Sequence, residues 1–145
     1  KAIIIGGGIG IPPMLELAKQ LDAEKTVVLG YRTSTFLKEE FEEVCDVKIA
    51  TEDGSQGAKG TVIDAIKKYG VEGKVIYACG PTPMLRAIKA YAEEHNITCY
   101  ISLEERMACG VGACLVCACD MADGSRKHVC KDGPVFEARE VDWDA

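Results

Sequence analysis

The chain has 145 residues, and its 17 basic against 23 acidic side chains leave a formal net charge of −6. That length suffices for one domain with a proper core and a small appendage, and the acidic balance disfavours non-specific nucleic-acid binding. No apolar run approaches the ~20 residues that cross a bilayer and no secretory leader is visible, so a cytoplasmic protein with reduced thiols is expected.

Residues 1–103 alternate strand and helix signals, which predicts an α/β fold: a five-stranded parallel, doubly wound nucleotide-binding domain. Ala2–Ile5 reads as a short buried strand. The chain opens on Lys1, one residue ahead of this strand, and is expected to be a fragment that has lost its N-terminal portion. Gly6-Gly7-Gly8-Ile9-Gly10-Ile11-Pro12-Pro13 follows, and Met14–Leu21 has helical periodicity. The prolines suit a first helical turn, where a missing N–H does no harm. Thr26–Gly30 is the second strand, with Ser34 or Thr35 as a cap for a Phe36–Val44 helix. Val47–Thr51 is the third strand and 52–60 a loop holding Asp53-Gly54-Ser55, ahead of a Thr61–Tyr69 helix. Lys74–Ala78, the turn Cys79-Gly80-Pro81-Thr82-Pro83, a Met84–His95 helix and an Ile97–Leu103 strand complete the alternation. From Glu104 it stops, so residues 104–145 are expected to form a separate cysteine module.

A glycine-rich turn between first strand and first helix suits phosphate, because small residues permit close approach and helix N-terminal amides attract negative charge. Gly8 and Gly10 are the candidates. The match to the dinucleotide fingerprint is imperfect: Ile11 stands where its last glycine belongs, and Gly30-Tyr31-Arg32 replaces the ribose-binding acid after strand two. A classical NAD-dehydrogenase site is therefore disfavoured. Cys79 and Gly80 lie at the carboxyl end of a parallel strand, where open α/β sheets bind ligands. A small thiol there suits a nicotinamide ring, although a buried structural cysteine fits equally. Asp53 at the same edge suits a ribose or adenine, or simply a turn; Tyr31 and Arg32 are candidates to flank an adenosine. His95 and His128 receive no catalytic role, and Cys45 and Cys99 read as core or edge thiols.

The most specific signal is Cys109, Cys114, Cys117 and Cys130, spaced C-x4-C-x2-C-x12-C. The plant-type [2Fe–2S] pattern begins with this run and ends on a distant fourth cysteine. Gly110 and Gly112 allow positive φ and bring amides near sulfur, while Ala108, Ala113, Leu115 and Val116 offer an apolar collar. Structural zinc remains open, although its knuckles usually pair two short C-x2-4-C units. Disulfides remain open because eight cysteines is an even number. Cys119 is a credible spare thiol, since alternate residues of an extended segment point the same way; Cys117 is preferred.

Together, Gly7-Gly8-Ile9-Gly10-Ile11-Pro12-Pro13-Met14, Asp53-Gly54-Ser55 and Cys79-Gly80-Pro81-Thr82-Pro83-Met84 resemble the pyridine-nucleotide domain of the ferredoxin–NADP reductase superfamily. The stretch from Ser102 to Cys114, followed by Val129-Cys130-Lys131-Asp132-Gly133-Pro134-Val135-Phe136, resembles the electron-transfer subunit of B-type dihydroorotate dehydrogenase. That resemblance implies cluster ligation by Cys109, Cys114, Cys117 and Cys130, and nucleotide binding by Gly8, Gly10, Asp53, Cys79 and Gly80. It further implies an FAD-binding barrel ahead of this region and a catalytic subunit containing FMN, in a heterotetrameric complex. Electrons from dihydroorotate would then reach NAD⁺ by way of FMN, the [2Fe–2S] cluster and FAD. A related ferredoxin–NADP oxidoreductase subunit has an aspartate as first ligand, so Cys109 favours the dihydroorotate version.

Without the barrel, this segment alone is expected to be inactive. Chemistry argues for the flavin independently: a hydride carrier moves two electrons, the cluster moves one, and a flavin works both ways. Met107, Leu115 and Val116 are expected to form an apolar docking edge.

Overall fold

The first strand is a run of β-branched residues with both faces covered, as a central parallel strand requires. In the computed structural model, which describes residues 1–32, 34–103 and 108–143, β1 spans Ala2–Gly7 and is buried throughout. Ile3 and Ile5 face one apolar cluster and Ile4 the other, which is the period-two alternation of a strand. A single 3-10 turn at Gly8–Gly10 leads into α1 (Ile11–Gln20), with the prolines in its first turn as expected.

Next come β2 (Lys25–Tyr31), α2 (Lys38–Glu42), β3 (Asp46–Thr51), β4 (Ala58–Lys59) and α3 (Val62–Tyr69). They are followed by β5 (Val75–Cys79), α4 (Thr82–Glu94) and β6 (Thr98–Ser102). The distal segment holds β7 (Ala118–Asp120), β8 (Arg126–His128), α5 (Val129–Asp132) and β9 (Val135–Glu137).

The main sheet runs in the order β4-β3-β2-β1-β5-β6-β9. It is wider than the five strands expected. The two-residue β4 adds one parallel edge beside β3, and β9 pairs antiparallel with β6, Ser102 opposite Val135. Both additions are too short to show a period in sequence. Helices cover both faces, so the doubly wound character stands: Ile11, Met14 and Phe41 from α1 and α2 pack on one side, Val62, Ile66, Leu85 and Ile88 from α3 and α4 on the other.

The second helix departs from expectation at its start. Neither Ser34 nor Thr35 caps it. Its N-cap is Leu37, held left-handed at φ 59° with no side-chain bond, while Phe36 packs edge-on against Tyr31 with ring centres 5.3 Å apart. The ring contact takes the residue that helical periodicity would have placed in the first turn.

The segment after 103 is tied into the same core. Cys117, Met121, Val129, Phe136, Val141 and Trp143 belong to the cluster that contains Ile3 and Ile76. The indole N–H of Trp143 donates to Ala138 O at 2.8 Å, and Arg86 of α4 donates to the Trp143 carbonyl. β7 and β8 form a separate antiparallel ribbon. Among the described residues no helix is long and apolar enough to cross a membrane.

Candidate functional site

From β1 the chain builds outward through β2 and β3, then returns to place β5 on the other side of β1. The crevice at the carboxyl ends of β1 and β5 is thus the topological switch point where such sheets bind ligands. Gly6 lies in register with Cys79 there. A methyl group on Gly10 would stand 2.3 Å from the Cys79 carbonyl oxygen and 2.7 Å from the Gly80 nitrogen. Glycine at this position lets α1 seat against the end of β5. Gly8 is the open member of the turn: it has φ 56°, is exposed, and no atom would meet an added methyl within 4 Å.

Gly80 and Gly7 share a different neighbour. A methyl on either would meet the Met84 side chain, 2.4 Å from its Cε at Gly80 and 2.5 Å from its Sδ at Gly7. The Met84 thioether therefore lies across the crevice between the two glycines. Sequence reasoning placed Met84 only at a helix start; its spacing from Gly80 was the available signal. The structure gathers Gly8, Gly10, Cys79 and Gly80 around this crevice. Cys79 itself is 3% exposed and packs among Ile4, Ile11 and Met14, so in this state its thiol serves the core.

Asp53 lies at the same sheet edge but two strands away, beyond β3. Its carboxylate accepts the Ser55 N–H at 3.0 Å, and that bond holds its pKa below the usual carboxylate value. The turn is anchored from beneath by Thr51, fully buried, whose hydroxyl donates to Gln56 O at 2.7 Å. Tyr31, a candidate to flank an adenosine, turns its hydroxyl toward its own loop. It is buried, its hydroxyl donates to Phe36 O at 2.6 Å, and burial raises it to about 12. Arg32 is exposed.

Beyond the carboxyl end of β6 the cysteines fall into two pairs. Cys109 Sγ accepts amides from Val111, Ala113 and Cys114 at 3.4, 3.3 and 3.5 Å. Those bonds, with the Cys114 thiol beside it, hold Cys109 down to about 6. The positive φ of Gly110 and Gly112, 70° and 82°, makes this inward-turned loop possible. The second pair is Cys117 and Cys130. The neighbouring Cys117 thiol, followed by desolvation, pushes Cys130 above the ordinary thiol value. Val129 N–H donates to Cys117 O at 3.2 Å and fixes the spacing of the pair. Cys119 is turned elsewhere, donating to Met121 Sδ at 4.0 Å.

Thiols in two pairs, all four on the segment that follows β6, have the chemistry to supply two sulfur ligands to each iron of a binuclear cluster. Among the described residues no three His, Cys, Asp or Glu side chains gather closely enough to enclose one ion. These four cysteines are thiols, not disulfides. Val111, Leu115 and Val116 around them are 69%, 67% and 51% exposed. The expected collar of Ala108, Ala113, Leu115 and Val116 is exposed and does not keep water from the site; Met107 lies outside the described residues. Of the thiols outside this motif, Cys99 is buried and raised to about 12 by desolvation, and Cys45 donates to Phe41 O at 3.4 Å. His95 stacks on Tyr91.

Two family models match the chain. The oxidoreductase NAD-binding domain covers residues 4–90, and the iron–sulfur cluster binding domain of dihydroorotate dehydrogenase B covers residues 104–142. The chain is 48% identical over 145 residues to the dihydroorotate dehydrogenase B (NAD(+)) electron transfer subunit of Caldanaerobacter subterraneus subsp. tengcongensis, a match covering 97% of this chain and 59% of that protein. It is 50% identical over 149 residues to the same-named subunit of Bacillus caldolyticus, covering 97% and 57%. The chain thus spans less than two thirds of the length of these relatives. A solved structure of an NADH-dependent reduced ferredoxin–NADP oxidoreductase, described in connection with flavin-based electron bifurcation, superposes with a TM-score of 0.89 at 34% identity, over 99% of this chain and 54% of that one.

Proposed function

Because the chain belongs to the oxidoreductase NAD-binding domain family, we propose that it is the nucleotide- and cluster-binding part of an electron-transfer subunit of an NAD-dependent dihydroorotate dehydrogenase. The observation that carries this is a cysteine loop, its amides directed at the Cys109 sulfur, on the segment that follows the last parallel strand of a nucleotide-type sheet. The family match over residues 104–142 and the two curated relatives supply the substrate class.

In this reading Cys109 with Cys114, and Cys117 with Cys130, hold the irons of a [2Fe–2S] cluster. When bound, the cluster accepts and returns one electron at a time, and a flavin joins that traffic to the two-electron chemistry of NAD. The chain's own residues prepare both sites. Amides of the 109–114 loop hold the first sulfur ready as thiolate. The Cys117–Cys130 pair is seated in the core, which keeps water from one side of the site. Gly10 seats α1 against β5, Gly8 leaves an open approach for phosphate, Gly80 leaves room at the crevice, and Asp53 stands at the ribose end. FAD is assigned chiefly to the part of the longer relatives that this segment does not span. The partner is a catalytic subunit containing FMN, in a heterotetramer in the cytoplasm, with the exposed Val111, Leu115 and Val116 edge facing it.

Anaerobically purified full-length protein should contain two irons and two acid-labile sulfides per chain and give a rhombic EPR signal on reduction. One zinc and no colour would overturn the cluster and leave a nucleotide fold with a structural metal knot. A second reading, an NADH-dependent ferredoxin–NADP oxidoreductase subunit, is favoured by the superposition at TM-score 0.89. NAD⁺ reduction that depends on dihydroorotate and the FMN subunit selects the first reading. Activity with ferredoxin and NADP alone selects the second.

A further inference from the structure

The ribbon of β7 and β8 has a cysteine at each margin: Cys117 immediately before β7, and Cys130 two residues beyond β8. Two antiparallel strands of three residues each are marginal alone, so the ribbon takes its place from what packs against it. The tail after β9 supplies that support. Met121 and Val141 form an antiparallel bridge. The Ala122 N–H donates to Glu140 O at 2.8 Å, and the Asp142 N–H donates to Asp120 O at 2.9 Å. Residues 140–142 thus run along the end of β7.

The tail is itself held in two ways. Val141 and Trp143 are buried in the cluster that contains Ile3 and Ile76, and the Trp143 indole N–H closes the tail on itself at Ala138 O. Arg86 then reaches from α4, across 57 residues of sequence, to donate to the Trp143 carbonyl. Arg86 is exposed on its helix, next to buried Leu85, so its link to the tail is polar and not part of the core. Apolar burial holds the tail down but is non-directional. A guanidinium bonded to a carbonyl is directional and stronger than a neutral pair, so it fixes where the tail stops. The same helix begins at the nucleotide crevice, where Met84 lies over Gly7 and Gly80.

We propose that Arg86 is a positioning residue for the cysteine ribbon: through the Trp143 carbonyl it fixes residues 140–142 against β7, and so sets the place of Cys117 and Cys130 relative to the nucleotide crevice. The consequence for the cluster rests on the reading of these two cysteines as ligands. Because metal binding is linked to the folding of the segment that supplies the ligands, a ribbon that opens more often releases iron more readily.

The test uses full-length protein and reads hydrogen exchange at single amides, which reports local opening. Arg86→Ala removes the bond and leaves a good helix former at an exposed position; Arg86→Lys keeps a charged donor. The Ala122 and Asp142 amides should exchange about tenfold faster in Arg86→Ala, the loss of one hydrogen bond to a charged group. The amides of β1 and β5 should keep their protection, and Arg86→Lys should recover most of the difference. Unchanged exchange at Ala122 and Asp142 would overturn the proposal. An equal acceleration in β1 and β5 would also overturn it, since Arg86 would then support the whole domain and not the ribbon. Iron release to a chelator, followed by loss of visible absorbance, should quicken in Arg86→Ala by a similar factor; an unchanged rate would overturn the link to the cluster. If the unsubstituted protein holds no iron, the reading of the cysteines as cluster ligands fails at that assay. Exchange at Ala122 and Asp142 still decides whether Arg86 holds the ribbon.

Discussion

Two glycine-bearing loops lie beside the carboxyl edge of one sheet, and they are shaped by opposite means. The turn at Gly6–Gly10 is defined by closeness. Its neighbours are backbone atoms at the end of β5 and the Met84 thioether, at the end of a β1 that is buried throughout. The loop at 108–114 is defined by a few amides directed at sulfur, with apolar side chains turned outward. The first can hold its form without a ligand because packing alone specifies it. The second depends on what its sulfurs bind, since ligand binding to a loop of this kind is itself folding free energy.

The largest expected effect separates the two directly. Cys117→Ser should abolish iron and sulfide binding, because it removes the buried partner of Cys130, whereas Cys119→Ser should retain both, its thiol being committed to Met121. Metal and sulfide analysis with visible spectra reads the outcome. Retention of a full cluster by Cys117→Ser would show that a neighbouring thiol can substitute and that the pairing is loose.

Next in size is a pair of glycine substitutions. Gly10→Ala drives a methyl into the Cys79 carbonyl, a backbone group with no freedom to retreat, and should cost about 3 kcal/mol or more of folding stability. Gly110→Ala meets no atom and bears only the left-handed backbone penalty, about 1 kcal/mol. Urea unfolding of the two variants measures the contrast. Equal losses would mean that the cysteine loop is as tightly packed as the crevice.

The same contrast governs what was legible from residue patterns alone. The strands from β1 to β6, apart from β4, follow from apolar runs bounded by glycine and turn residues, and observed boundaries lie within a residue or two of those expected. β9 escaped because Val135–Glu137 is short and its partner β6 lies far back in the chain; only pairing makes it a strand. The start of α2 escaped because Phe36 trades a helical position for the Tyr31 ring. At the candidate sites, spacing singled out the four cysteines as candidate ligands, since such residues recur along one loop. Contacts such as Met84 across Gly7 and Gly80, or Lys131 over Gly112, arise only when separate elements meet. Buried Cys79 and the inward Tyr31 hydroxyl likewise depend on which way a side chain turns once its strand is placed.

A smaller effect tests whether the crevice is rigid throughout. Gly80→Ala meets first the end of the flexible Met84 side chain, with the Gly7 carbonyl oxygen next at 3.2 Å, so Met84 can yield in part and the cost should be about 1–2 kcal/mol. Met84→Ala should open the space and make the Gly80→Ala substitution nearly neutral in that background, giving a coupling in a double-mutant cycle. Simple additivity in urea unfolding would show that the thioether does not fill the crevice in solution.

The smallest effect lies away from both loops and calibrates the sheet that carries them. Thr61 caps α3, its hydroxyl accepting the Asp64 N–H while the Asp64 carboxylate accepts the Thr61 N–H at 2.7 Å. Thr61→Ala should cost about 1 kcal/mol. Asp64→Asn should cost less, about 0.5 kcal/mol for a carboxylate near a helix N-terminus, reduced further by salt. The bonds from Thr61 lower the Asp64 pKa below the ordinary carboxylate value. A lowered folded-state pKa adds stability that is fully present above the unfolded value, about 3.9, and is lost as pH falls through the folded one. The advantage over Asp64→Asn should therefore be constant from neutral pH down to about 5 and vanish in stronger acid. An advantage that instead grew on acidification would mean that Asp64 is repelled at its site, and that the cap is carried by the threonine alone.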